Sequence, residues 1–129
     1  DFDVRTPGID TSARALSGGN QQKLLLGREM AARPRMLVAA HPTRGIDVGA
    51  QAAVWEDLRA ARRDGLAVLL VSADLEELIG LADRLVVMLR GRIVAELDPA
   101  TTTPRLLGGH MTGAVDEAGD AVADGSPPS

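Results

Sequence analysis

Eight consecutive residues, Leu16-Ser17-Gly18-Gly19-Asn20-Gln21-Gln22-Lys23, hold most of the chemistry legible in this chain. Ser17 offers a hydroxyl at a helix N-cap position. Gly18 and Gly19 carry no Cβ, so an anion can come close to their backbone N–H groups. The helix that follows points the positive end of its dipole at the same spot. Together these features suit a phosphate. A bare Ser-Gly-Gly is more often an ordinary capped start to a helix, so its meaning depends on what surrounds it.

Other reactive side chains are few. His41 could accept a proton, or simply fill a loop position before Pro42. Asp47 stands where an N-cap is wanted, ahead of an apolar helical stripe. His110 has no carboxylates at metal spacing around it, which argues against a metal role. Cysteine is absent, which removes disulfides, thiolate metal sites and thiol nucleophiles, and fits a reducing compartment. No Gly-x-x-x-x-Gly-Lys-Ser/Thr occurs, so no phosphate loop is present to hold β- and γ-phosphates.

The elements that must position these residues follow from periodicity. Residues 20–33 are rich in helix formers, and Pro34 ends the helix. Met36-Leu37-Val38-Ala39-Ala40 is a short apolar run without alternation, predicted to be a strand buried on both faces. A turn cluster from His41 to Gly45 leads to a helix over 49–63 with Ala50, Ala53, Val54, Leu58 and Ala61 on one stripe. Trp55 lies off that stripe, as a partly exposed packing residue. Residues 66–71 read as a second buried strand. Asp74-Leu75-Glu76-Glu77 has the form of a capping box, opening a helix with Leu75, Leu78, Ile79 and Ala82 inward. Strands over 84–89 and 92–97 close the pattern as a hairpin around Arg90-Gly91. This alternation predicts an α/β fold, helices on a mostly parallel sheet. After Pro99 the pattern stops, leaving 99–111 as a C-terminal extension and 112–129 as a disordered acidic tail.

Composition excludes several functions. The chain has 129 residues, 45% hydrophobic and 25% charged, which rules out collagen-like and wholly disordered classes. No apolar run is long enough to span a bilayer, and no secretory signal is present at the start. Aromatics are 2%, Phe2 and Trp55, too few to stack single-stranded nucleic acid. The net charge is −4, and four of the eighteen acids lie in 112–129, so the rest balances its fourteen bases. Nothing suggests a grip on DNA. The chain opens on Asp, which reads as a fragment or processed product.

In context, the octet resembles the signature motif of ATP-binding cassette (ABC) ATPases. Pro42-Thr43-Arg44-Gly45-Ile46-Asp47-Val48-Gly49-Ala50 looks like the cassette's D-loop region, in wording similar to that of simple-sugar and nucleoside importers. Val71-Ser72-Ala73-Asp74-Leu75 falls at the switch loop. Leu81-Ala82-Asp83-Arg84-Leu85-Val86-Val87-Met88, then Gly91-Arg92-Ile93, matches the strand and hairpin that close the catalytic subdomain. The resemblance covers roughly residues 5–98. It implies the C-terminal half of a P-loop NTPase fold, with 1–98 forming part of a second nucleotide-binding domain.

The resemblance also implies how the residues are used. Two cassettes meet head to tail, and Ser17, Gly18, Gly19 and Gln21 would face ATP held by the partner, with Asp47 crossing the interface. Three positions depart from the family. Ala40 stands where an Asp orders the Mg²⁺ shell, His41 where a Glu polarises water, and Ala73 where the switch His contacts the γ-phosphate. The catalytic positions are thus degenerate, Mg²⁺ is expected only through the partner cassette, and the isolated chain is expected to be inactive. The implied partners are a first cassette, membrane permease subunits and, indirectly, an extracellular solute-binding protein, with the chain peripheral on the cytoplasmic side of the membrane. Two alternatives carry the same motifs: a non-catalytic regulatory or interaction module derived from a cassette half, and a cassette serving DNA repair or the ribosome. A phosphate loop upstream of Asp1 in the reading frame separates the first from the importer reading; coiled-coil insertions or strongly basic segments would mark the second, and neither is present. An isolated piece is expected to leave apolar sheet surface and an edge uncovered.

Overall fold

A computed structural model of the chain describes residues 18–114, which divide into two compact units, one through Ala73 and the other from Asp74 onward. The expected acidic tail falls, from residue 115 on, outside the described residues.

The first unit contains helix α1 (Gly18–Ala31), strand β1 (Met36–Ala40), helix α2 (Val48–Arg63) and strand β2 (Ala67–Val71). The helix α1 stops two residues earlier than expected. Arg33 turns to φ +49° and its N–H donates to the Met30 carbonyl at 3.0 Å. Pro34 explains the turn, since its ring disfavours right-handed helix in the residue before it. Asp64 and Gly65 end α2 as expected, Gly65 at φ +93°.

β1 and β2 pair in parallel, Met36 opposite Ala67 and Ala40 opposite Val71. Val54, Leu58 and Ala61 of the α2 stripe are buried, as is Leu37 of β1. The strands are not covered on both faces, as their unbroken apolar runs had suggested. Met36 (53% exposed), Val38 (61%), Leu69 (49%) and Val71 (46%) share one open face. An unalternated run reports only that both faces avoid charge; what covers them must come from elements outside the run. The uncovered apolar surface anticipated from the sequence is thus present among the described residues.

The two helices of this unit also meet through charge. Burial pushes the Asp57 carboxyl of α2 above its ordinary value, while the Lys23 ammonium of α1 pulls it down. A raised carboxyl value means the folded state keeps its proton to higher pH than the unfolded chain. Its favourable contribution is complete below the unfolded value and is lost as pH rises through the folded one.

The second unit contains α3 (Leu75–Leu81), β3 (Leu85–Leu89), β4 (Arg92–Leu97), a 3₁₀ turn (Pro99–Thr101) and α4 (Pro104–Thr112). Asp74 caps α3 by accepting from the Glu77 N–H at 3.0 Å, as its sequence pattern required. β3 and β4 form the expected antiparallel hairpin, with a register shift between Val87 and Met88. Leu85, Val87 and Leu107 form the core, with Leu75, Leu78, Ile79 and Ala82 packed against it.

Helix α4 corrects the expectation that regular structure ends at Pro99. Thr103 caps it, its hydroxyl accepting from the Leu106 N–H at 3.2 Å; Pro104 opens it and Gly113, at φ +76°, closes it. Those three residues are ordinary start and stop signals. The Gly108-Gly109 pair lowers helix propensity in so short a segment, so packing must hold it. Leu107 is 1% exposed and His110 is also buried, so residues 99–111 contribute to the unit's packing.

Two outcomes test this description. Leu107→Ala is expected to lower stability by about 2–5 kcal/mol, read from denaturant unfolding. Asp57→Asn is expected to raise stability at pH 7, a gain that fades as pH approaches the ordinary Asp value of 3.8; a loss at neutral pH would show that attraction to Lys23 outweighs burial.

Candidate functional site

At the C-terminal end of β1 the chain reverses sharply. The His41 N–H donates to the Val71 carbonyl at 2.7 Å, continuing the parallel ladder by one bond. His41 itself adopts φ +48°, and its carbonyl accepts from the Arg44 N–H at 3.2 Å. Left-handed backbone is costly for most side chains, but His is among the types that tolerate it. Pro42 further disfavours a right-handed turn there. Thr43 is buried within the turn, and Gly45 at φ +76° completes it.

The turn delivers Asp47 to the start of α2. Asp47 has extended backbone, φ −73° and ψ 167°, and its Oδ1 accepts from the Ala50 N–H at 2.9 Å. The carboxylate is exposed, so capping leaves it open to solvent on one side.

The N-terminus of α1 rests against this same segment. A Cβ on Gly18 would stand 3.3 Å from Ile46 Cγ2 and 3.6 Å from the Gly45 carbonyl oxygen. A Cβ on Gly19 would stand 2.5 Å from the Ala50 methyl. Gly18 is exposed, Gly19 is buried, and Gln21 is half-buried one turn further along. No acidic residue occupies the first turn of α1. Two helix N-termini, each a favourable place for negative charge, therefore adjoin. Ser17 lies outside the described residues.

Ala40, His41 and Ala73 also converge. Ala40 pairs with Val71, and Ala73 follows two residues beyond it, so all three lie at the C-terminal end of the parallel pair. Ligands of open α/β sheets gather at such ends. The residues present do not fit a metal. The Ala40 side chain has no donor atom, and the described residues contain no group of three or more His, Asp or Glu that could hold an ion. Trp55 is half-buried with the Arg59 guanidinium 5.7 Å from its ring centre, a packing arrangement that agrees with the reading of its sequence position.

Gly18, Gly19 and Asp47 are legible in the sequence as candidate site residues, whereas the residues that seat the two glycines are legible only as parts of a turn and a helix stripe. Those residues are Ile46 and Ala50. The available signal was Ala50, a small residue on the α2 stripe close after the cap. For Asp47 itself, Asp47→Ala is expected to cost about 1 kcal/mol through loss of the cap, whereas Asp47→Ser keeps most of it. Denaturant unfolding of both variants checks this; equal losses would mean the cap is not the relevant interaction.

Comparison with known proteins fits these observations. No protein-family profile matches the chain. The guanosine import ATP-binding protein NupO of Bacillus subtilis is 52% identical over 122 residues, covering 94% of this chain and 24% of that protein. The ribose import ATP-binding protein RbsA of Jannaschia sp. is 40% identical over 112 residues, covering 87% of this chain and 22% of that protein. The chain thus spans about a quarter of the length of the curated relatives it matches. Among solved structures, an ATP-binding cassette of an ABC transporter superposes with a TM-score of 0.70 at 25% identity, over 81% of this chain and 42% of that one. The ADP conformation of such a cassette gives 0.61 at 23% identity, over 76% of this chain and 37% of the other. In sequence the chain is similar to a quarter of the ATP-binding proteins of guanosine and ribose import, and in fold to ATP-binding cassettes of ABC transporters.

Proposed function

We propose that this chain supplies the signature face of a cassette pair that energises uptake of nucleosides or simple sugars. Ser17, Gly18, Gly19 and Gln21 face the γ-phosphate of ATP held by the phosphate loop of a first cassette, in the same or a paired subunit. Asp47 reaches toward that loop. The observation that carries this reading is the seating of Gly18 and Gly19 on residues 45–50, which gathers the signature helix and the Asp47 cap into one patch.

The pair is asymmetric in this reading. The site completed by this chain's signature turns over, with Mg²⁺ supplied through the partner cassette. The other site, lined by Ala40, His41 and Ala73, binds nucleotide without efficient hydrolysis. His41 lies in the turn that ends β1, at φ +48°, which supports a backbone role for it there. Hydrolysis and release open the pair and drive permease subunits, fed from outside by a solute-binding protein. The chain works at the cytoplasmic face of the membrane, and none of its described helices is long and apolar enough to cross one.

Uptake and ATP hydrolysis by the assembled transporter test the assignment. Ser17→Arg places a long cation where the phosphate must approach, and is expected to lower both about a hundredfold or more, ~2.7 kcal/mol of transition-state stabilisation. His41→Ala is expected to stay within about twofold, which is ~0.4 kcal/mol. An unaffected Ser17→Arg variant overturns the role of the signature. A severe loss in His41→Ala gives His41 a catalytic part instead.

A further inference from the structure

The two signature glycines do different work. Gly18 is exposed, and a Cβ there would stand 3.3 Å from Ile46 Cγ2 and 3.6 Å from the Gly45 carbonyl oxygen, a tight contact that a shift of a few tenths of an ångström relieves. Gly19 is buried, and a Cβ there would stand 2.5 Å from the Ala50 Cβ, with the Ala50 Cα at 3.7 Å. Carbon atoms do not approach to 2.5 Å without bonding; unstrained contact lies near 3.5–4.0 Å. Neither Gly nor Ala has a side-chain torsion that could relieve the overlap, so a methyl on Gly19 would have to push the helices apart.

Ala50 is itself held from the other side. Its N–H donates to Asp47 Oδ1 at 2.9 Å, and the next N–H, of Gln51, donates to the Asp47 carbonyl at 2.9 Å. One small residue therefore touches both candidate site residues, Asp47 through its amide and Gly19 through its methyl.

We infer that Ala50 is a positioning residue, whose methyl group occupies the space a side chain at Gly19 would need and so fixes the signature N-terminus to the capped first turn of α2. Gly19 is then glycine because of a contact inside this chain, whereas the openness of Gly18 serves what approaches from outside. The consequence for turnover rests on the trans reading proposed above; the packing does not. Displacing either partner shifts the signature and the Asp47 cap together.

Moving the methyl from one helix to the other tests this. In the full-length protein carrying this sequence, Gly19→Ala, Ala50→Gly and the double variant are compared by amide hydrogen exchange over residues 18–26 and 46–54, and by kcat and KM for ATP in the assembled transporter. Gly19→Ala is expected to speed exchange at the starts of both helices about tenfold or more, as local opening becomes easier. It also lowers kcat. Gly18→Ala is expected to disturb exchange much less than Gly19→Ala, because a 3.3 Å contact asks for a shift of only a few tenths of an ångström where 2.5 Å asks for more than one. The double variant keeps the same Gly and Ala content, and is expected to bring exchange back to within about threefold and to recover most of kcat. A double variant no better than Gly19→Ala overturns the inference, as does Gly19→Ala without effect on exchange. Ser17→Arg, run alongside, separates the two readings. If it leaves turnover intact, the trans role falls while the exchange result stands; if exchange is not rescued, the packing inference falls whatever Ser17→Arg does.

Discussion

The reversal after β1 is the constraint on which the first unit depends. The ladder bond from His41 to Val71 fixes where the strand ends, and the left-handed backbone of His41 sends the chain back within four residues. Everything near the candidate site is placed by that turn. It delivers Asp47 as a cap, sets Gly45 and Ile46 beneath Gly18, and starts α2 where Ala50 meets Gly19. A right-handed residue at 41 would aim α2 elsewhere and leave the N-terminus of α1 without its seat.

The turn is compatible with the residue at 41. His enters left-handed backbone more often than most side chains, and the following proline penalises the right-handed alternative. Arg33 and Arg90 take the same conformation, so this backbone requirement does not by itself select His. Ala40 and Ala73 have no such requirement; nothing in the geometry demands alanine at either place.

Much of the local structure was legible beforehand because it rests on short-range physics. The Asp74 cap, the α2 stripe through Val54, Leu58 and Ala61, and the hairpin at Arg90-Gly91 follow from spacing alone. Helix α4 is weakly written in the sequence: Thr103, Pro104 and Gly113 mark its ends, but two central glycines lower the propensity of a nine-residue helix. Its stability comes from Leu107 entering the core with Leu85 and Val87, a contact no local propensity encodes. The open face of β1 and β2 was misjudged for a related reason: an apolar run records compatibility with burial, while coverage is a property of neighbours.

The sequence by itself determined the order of elements and the caps, because each is written in residue type and spacing along the chain. Tertiary structure alone decided that Gly18 and Gly19 differ, one exposed and one pressed against a methyl group. It alone showed that Ala50 joins Gly19 to Asp47. The reason is physical. Gly18 and Gly19 are identical in sequence terms, and only the approach of a second helix, set by the turn at 41–45, gives their missing side chains different neighbours.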